Sequence, residues 1–269
     1  MASTILRKAW QGKWALVTGA SAGIGEAIAV ELAAAGANLI LTARRQGRLD
    51  ALASRLRGDH SIETQVIVAD LEQAEAPQQI FDATEGAGLA VDLLANNAGF
   101  GGYGEFLRSD LERELGMVQV NCTAVVHLTR LFLPKMVERR HGSVMIVSSM
   151  AAYQPVPYMA TYAATKAFDR LLAEALDEEV KRYGVRVSAL CPGTTKSEFG
   201  QVAGSRPREN RHFQSAQEVA LRGLEGLAQG RPWVVPHSMG RLQIFALRFV
   251  PRSMVSWAAE RMFRPAGVQ

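Results

Sequence analysis

Short runs of apolar residues alternate along the chain with longer stretches of helical period. Trp14-Ala15-Leu16-Val17 comes first. It is followed by Ile24 to Ala35, where Ile24, Ala27, Ile28 and Leu32 share one helical face and Gly36 is placed to end the helix. Further apolar runs are Leu39-Ile40-Leu41, Val66-Ile67-Val68, Val91-Asp92-Leu93-Leu94, Val144-Met145-Ile146-Val147, Val185 to Leu190 and Trp233-Val234-Val235. Strands this apolar, without strict polar alternation, suit a parallel sheet covered on both faces. Helical segments between them make right-handed crossovers the natural connection. The pattern predicts an α/β fold, a Rossmann-like doubly wound parallel sheet of about seven strands with helices on both faces. Ser109 with Glu112, and Ser215 with Glu218, read as capping boxes at two helix starts.

Composition narrows the function classes. Of 269 residues, 48% are hydrophobic and 21% charged, which excludes a disordered or fibrous chain. The net charge of +4 comes from basic residues spread along the sequence, so no nucleic-acid partner is expected. Cys122 and Cys191 lie far apart, in neither zinc-site nor disulfide-framework spacing, and the five histidines show no metal-ligand spacing. Met1 to Lys13 lacks the unbroken apolar run of a signal peptide. No run reaches the ~18 apolar residues of a membrane span, and a cytoplasmic location is the expectation.

Candidate chemistry begins directly after the first strand. Thr18-Gly19-Ala20-Ser21-Ala22-Gly23-Ile24-Gly25 opens the first long helix. A turn without side chains lets backbone approach a pyrophosphate, and the helix N-terminus offers free N–H groups. A plain tight turn would need glycine as well, but the strand and helix on either side favour dinucleotide binding. Gly19, Ser21, Gly23, Ile24 and Gly25 are the candidate contacts. The second strand ends Leu41-Thr42-Ala43-Arg44-Arg45 and carries no acid at the position that would bind adenosine ribose hydroxyls. A guanidinium there matches a 2′-phosphate, so Arg44 and Arg45 point to NADP(H); the alternative is that they solvate the start of the next helix. Asp70 and Leu71, ending the third strand, fall near the adenine, where Asp70 serves the adenine amino group, a helix cap, or both.

Tyr162-Ala163-Ala164-Thr165-Lys166 places a tyrosine and a lysine on one helical face. Ser149 closes the fifth strand, and Asn121 lies in the helix before it. Together with Asn96-Asn97-Ala98-Gly99 and Pro192-Gly193, these residues resemble, in order and spacing, the short-chain dehydrogenase/reductase family over about residues 12 to 200. The resemblance implies hydride transfer between NADP(H) and a carbonyl or alcohol carbon. It implies that Tyr162 is the acid/base, that Lys166 holds the nicotinamide ribose and favours tyrosinate, and that Ser149 hydrogen-bonds the carbonyl. Asn121 would anchor a water linking Lys166 to solvent. Asn97, Ala98 and Gly99 would pass the adenosine ribose; Pro192, Gly193, Thr195 and Ser197 would clamp the carboxamide. Ser148 is a rival to Ser149 by composition, and the family spacing selects Ser149. A free tyrosine titrates at about 10, so a neighbouring cation is needed for base chemistry near neutrality.

Residues 1–238 are expected to form a single NADP-binding catalytic domain and 239–269 a basic amphipathic extension. Leu242, Phe245 and Phe249 repeat at helical spacing with Ile244 and Leu247 beside them, Pro251 breaks the run, and Met254, Trp257, Ala258 and Met262 resume it. Five arginines (Arg241, Arg248, Arg252, Arg261, Arg264) face one acid, Glu260. Three readings stand: packing on the domain or a partner subunit, a lid over an apolar cleft, and peripheral attachment to an anionic membrane. The expected substrate is a ketone, 3-oxoacyl or other lipophilic carbonyl. Alternatives are NAD-linked alcohol oxidation and a cofactor-sensing binding protein without turnover. A homodimer or homotetramer is expected, packed through the helix of Tyr162 on a face of Ala163, Ala167, Leu171 and Leu172.

Overall fold

The computed structural model describes residues 3–196, 198–204 and 214–265, and among these every expected strand is present in one parallel sheet. The strands are β1 (Trp14–Thr18), β2 (Asn38–Ala43), β3 (Thr64–Val68), β4 (Leu93–Asn96), β5 (Gly142–Val147), β6 (Val185–Leu190) and β7 (Trp233–Val234). Their order is β3-β2-β1-β4-β5-β6-β7, so the chain winds outward from β1 and then returns to build the other half. β4 begins two residues later than the apolar run. The Val91 N–H is taken by Glu85 Oε1 at 2.8 Å, whereas Asp92 still bonds Trp14 O and the Ser143 N–H through its backbone while its Oδ2 accepts from the Trp14 N–H.

The helices are α1 (Thr4–Trp10), α2 (Gly23–Ala34), α3 (Gln46–His60), α4 (Ala76–Asp82), α5 (Leu111–Val118), α6 (Ala124–Glu138), α7 (Ala160–Val180), α8 (Phe199–Val202), α9 (Ala216–Ala228), α10 (Ser238–Leu247) and α11 (Arg252–Phe263). Alternate strand residues feed two cores. Ala15, Val17, Leu39 and Leu41 meet α2, α3 and α9 through Ile28, Leu32, Leu49, Leu56, Val219 and Leu224. Leu16 and Ile40 face the opposite layer, with Ile80, Phe132, Ala173 and Val180 of α4, α6 and α7. Each fully buried leucine or isoleucine contributes about 1.5–3 kcal/mol. Both faces are therefore covered, which explains why the strands read as continuous apolar runs.

One of the two expected caps changes. Ser215 does cap α9, accepting from the Glu218 N–H at 3.1 Å. Ser109 does not cap α5; its hydroxyl donates to Phe106 O, and Asp110 accepts from the Arg113 N–H at 2.9 Å instead. A carboxylate also complements the positive end of the helix, an advantage the serine lacks. Between α5 and α6 the chain makes a π-helical turn, Gln119–Thr123, which carries Asn121. Pro251 separates α10 from α11, as the break in the apolar run suggested.

One buried acid ties the second half together. Asp177 of α7 accepts from Arg186 Nε and Nη2 and from the Val187 N–H of β6, each at 2.9 Å, and is 3% exposed. Replacing Asp177 by Ala strands a guanidinium and a buried amide. Urea unfolding is expected to show a loss of about 3 kcal/mol; an unchanged midpoint would contradict this account.

Candidate active site

A cleft of about 1530 Å³ runs along the carboxyl edge of the sheet, across the point where strand order reverses between β1 and β4. That exceeds the roughly 300–1,000 Å³ of a pocket for one drug-sized ligand, leaving room for a dinucleotide and a second molecule. Among the described residues, the cleft gathers nearly every candidate read from the sequence. Gly19, Ser21, Gly23, Ile24, Arg44, Arg45, Asp70 and Leu71 line one end; Asn97, Ala98, Gly99, Ser149, Tyr162, Lys166, Pro192, Gly193 and Thr195 line the rest. Gly25 and Asn121 lie behind the wall, and Ser197 falls outside the described residues.

The glycine turn is built by close approach. Gly19 has a left-handed φ of +66°, and a Cβ there would sit 2.9 Å from Ala98 Cα. A Cβ on Gly25 would collide with Gly19 O and Asn97 Nδ2. The loop after β4 is thus pressed onto the turn, and Thr18 fastens it. Its Oγ1 accepts from the N–H groups of Asn97 and Ala98, both at 2.9 Å, while Asn97 Nδ2 donates to Thr18 O at 2.8 Å. Ala22 precedes α2 and no side chain caps the helix, so its first N–H groups stay available to an anion. A side-chain-free cradle under an uncapped helix fits a pyrophosphate.

The basic corner differs from the expectation. No acid stands at the end of β2, but neighbouring loops bring acids to it. Arg44 Nη1 lies 3.3 Å from Glu72 Oε1 and 3.8 Å from Asp70 Oδ2, with the Arg44 side chain 63% exposed. Arg45 does not merely solvate the next helix. Its Nε and Nη2 donate to Ser21 Oγ on the glycine turn, and its Nη1 pairs with Glu198 at 2.9 Å. Arg48 also holds Glu198, and these two guanidiniums keep that carboxyl below the usual range. Asp70 Oδ1 accepts from the Glu72 N–H, so it caps the turn after β3 while its other oxygen faces Arg44.

At the other end, Ser149 follows β5, and its Oγ accepts from the Ala151 N–H at 3.1 Å. Ser148 turns inward, is 2% exposed and donates to Lys166 O, which separates the two serines. Burial pushes the Tyr162 phenol up from its ordinary value; Lys166 and a hydrogen bond with Ser149 pull it down, and Asp169 raises it again. Lys166 is 5% exposed, and its ammonium donates to Val147 O and to Asp169 Oδ2, both at 2.8 Å. Asn121 is fully buried. Its Oδ1 accepts from the Phe100 N–H, and its Nδ2 donates to Phe100 O and Thr165 Oγ1. Asn121 thereby joins the loop after β4 to α7, the helix of Tyr162 and Lys166.

The sequence reading missed Asp169, although its spacing from Lys166, three residues on in one helix, is the signal that would have found it. It also missed the anchors of the tail. Tyr158 donates to Glu260 at 2.7 Å, Tyr103 donates to Phe263 O at 2.8 Å, and Gly240 packs where a Cβ would press on Met150. Met239, Met262 and Phe263 consequently form part of the cleft wall, beside Met159 and Phe199. Of the helix face expected to meet a second copy, Leu171 is exposed and Ala167 half-buried. Ala163 and Leu172 pack inward, whereas Ala164, Phe168, Leu171 and Ala175 form the exposed stripe of α7.

Comparison with known proteins gives the same picture. A short chain dehydrogenase family model matches residues 13–207. Very-long-chain 3-oxoacyl-CoA reductase of Bos taurus is 33% identical over 232 residues, covering 83% of this chain and 72% of the relative. Among solved structures, a short-chain dehydrogenase from Sphingobium yanoikuyae in complex with NADPH superposes with a TM-score of 0.81 at 28% identity, covering 96% of this chain and 98% of that one. A short chain dehydrogenase/reductase from Burkholderia phymatum in complex with NAD gives a TM-score of 0.79 at 26% identity, over 88% and 92% of the two chains.

Proposed function

The chain belongs to the short-chain dehydrogenase family, and from that premise we propose that it reduces a lipophilic ketone or 3-oxoacyl compound with NADPH, using Tyr162 as proton donor. The observation that carries this reading is the convergence of Ser149, Tyr162 and Lys166 at one end of a cleft whose other end is the glycine cradle. NADPH bound there supplies a hydride. Gly19, Ser21, Gly23 and Ile24 hold its pyrophosphate with Gly25 packed behind the turn, Asp70 and Leu71 the adenine, and Asn97, Ala98 and Gly99 the adenosine ribose. Pro192, Gly193 and Thr195 hold the carboxamide. Ser149 donates to the substrate oxygen, and Tyr162 transfers its phenolic proton as charge grows on that oxygen. Lys166 steadies the ribose, and Asn121 keeps the path behind Lys166 in place.

Preference for NADPH rests on Arg44 and Arg45 at the adenosine end. Their present partners, Glu72 and Glu198, are exposed carboxylates that a 2′-phosphate can replace with a stronger, doubly charged acceptor. The lipophilic substrate rests on the tail, whose Met239, Met262 and Phe263 narrow the cleft beside Met159 and Phe199. Among the described residues no helix is long and apolar enough to cross a membrane. Leu242 and Phe245 on α10, Phe249 between the helices, and Met254 and Trp257 on α11 nevertheless stay exposed amid the arginines. That outer surface suits peripheral contact with an anionic bilayer, from which an apolar substrate would arrive. Phe168 and Leu171, with Leu111, Leu115 and Val126 on the neighbouring helices, are the proposed contact between copies of the chain.

NADPH oxidation against short and long-chain ketones and 3-oxoacyl thioesters tests the activity. Tyr162→Phe should lower kcat by at least about a thousandfold while leaving NADPH affinity within a few-fold; substantial turnover by this variant would exclude the mechanism. For the cofactor, Arg44→Asp should weaken NADPH at least about tenfold and spare NADH, because a carboxylate repels the phosphate. Equal kcat/KM with both cofactors in the parent would remove the preference. Truncation after Val250 deletes α11 and keeps α10, whose Ile244 packs on the core. It should cut kcat/KM for long-chain carbonyls at least about tenfold, more than for short ones, and weaken sedimentation with anionic liposomes at low salt. Parallel losses on all chain lengths would refute the lid.

A further inference from the structure

Asp169 lies inside α7, three residues after Lys166, and is fully buried. Its Oδ2 takes the Lys166 ammonium at 2.8 Å, and its Oδ1 is buried with no hydrogen-bond partner. An ion pair present only to stabilise a helix would not be left half satisfied in the interior, where a bare carboxylate oxygen costs free energy. The position also matters, because the lysine that Asp169 pairs with lies one helical turn after Tyr162 and is the positive charge that acts on its phenol. Lys166 spends its other visible bond on Val147 O, at the end of β5. Asp169 therefore offsets part of a charge that still acts on the tyrosine.

We propose that Asp169 is a positioning residue: it offsets the Lys166 charge and keeps Tyr162 as a phenol, biasing the site toward carbonyl reduction over alcohol oxidation. This rests on the reductase reading above. Reduction consumes a proton from the Tyr162 hydroxyl as the substrate oxygen becomes an alcohol; oxidation requires tyrosinate to accept that proton back. A neutral lysine–aspartate pair favours the first state of the tyrosine, and an unopposed ammonium favours the second. The remaining groups around the pair do not replace Asp169. Cys122, from the π-helical turn, faces it as a neutral thiol, pushed up to about 11 by burial first and by Asp169 next. Arg170, the next residue of α7, stacks over the Tyr153 ring at 4.6 Å and pairs with Glu174, away from Lys166. Burial raises the Asp169 carboxyl, and Lys166 at 2.8 Å pulls it back toward ionisation.

The sign follows from these charges. Removing Asp169 deletes a negative neighbour that raises the Tyr162 titration and frees a positive one that lowers it, so tyrosinate forms at lower pH. Asp169→Asn keeps the shape of the side chain. In the cofactor-free protein, tyrosinate absorbance is followed against pH as the difference between each protein and its Tyr162→Phe counterpart. The Asn variant should titrate about one pH unit below the parent. The limb of the alcohol-oxidation pH profile that reports tyrosinate should move down equally, with NADPH affinity within a few-fold. If Asp169→Asn does not fold by circular dichroism, Asp169→Ala is used in the same titration. An unchanged midpoint in a folded variant overturns the proposal. Absence of turnover in the parent would count against the reductase reading alone, since the titration needs neither cofactor nor substrate.

Discussion

A lysine ammonium held inside the protein is the constraint around which the site is arranged. Lys166 is 5% exposed, and a charge so placed must be met on several sides. Val147 O meets it from the end of β5, and Asp169 from its own helix. Ser148 then takes Lys166 O, so the backbone beneath the charge is fixed as well. Gly99 leaves room above; a Cβ there would lie 3.4 Å from Lys166 Nζ and 2.9 Å from Asn121 Oδ1. Groups from the end of β5, from α7, from the π-helical turn and from the loop after β4 are thereby committed to one point. Tyr162, one helical turn before Lys166, inherits its position from that commitment.

The other end of the cleft is fixed by a different device, backbone against backbone. The parallel order puts β1 beside β4, and their carboxyl ends diverge into the glycine turn and the Asn96–Gly99 loop. Thr18 and Asn97 close that divergence with bonds of 2.8–2.9 Å. The turn can then lie so close to the loop that neither Gly19 nor Gly25 has space for a side chain. Asn121 connects this device to the lysine, because its amide holds Phe100 in the same loop and Thr165 in α7. The π-helical turn that carries Asn121 shifts the helix register locally, which turns that amide inward between the two halves.

Much of this was legible in the sequence, and the reasons differ by element. Buried parallel strands leave unbroken apolar runs, so all seven were visible, and the glycine turn and Tyr162/Lys166 pair announced themselves by spacing. Contacts between distant segments were not visible. Arg45 reaches Glu198 across 153 positions, and Arg44 meets Glu72 from the next strand's loop, so a strand end without acids became a corner rich in them. The outer face of α7 was legible only in part: Leu171 is exposed as expected and Ala163 is buried. Alanine and leucine occur all round that helix, and periodicity alone could not say that Ala163 faces the core while Phe168 faces out. Ser109 was read as the cap of α5, and its neighbour Asp110 takes that place because the helix begins one residue later than the reading supposed.

The tail shows why the substrate is written less clearly than the chemistry. The candidate catalytic and cofactor residues sit at strand ends or on α7 and the π-helical turn packed beside them, where the sheet dictates position, so their spacing is constrained. The residues that narrow the cleft near α10 and α11 are held by single contacts such as Tyr158 to Glu260 and Tyr103 to Phe263 O. An apolar pattern on such a helix must serve two faces. Ile244 turns to the core while Leu242 and Phe245 remain in solvent. In the proposed reading the inner face bears on what fits the cleft, and the outer face on what surface the protein approaches. Neither is fixed by the sheet, so both can vary without disturbing Lys166 or the glycine turn.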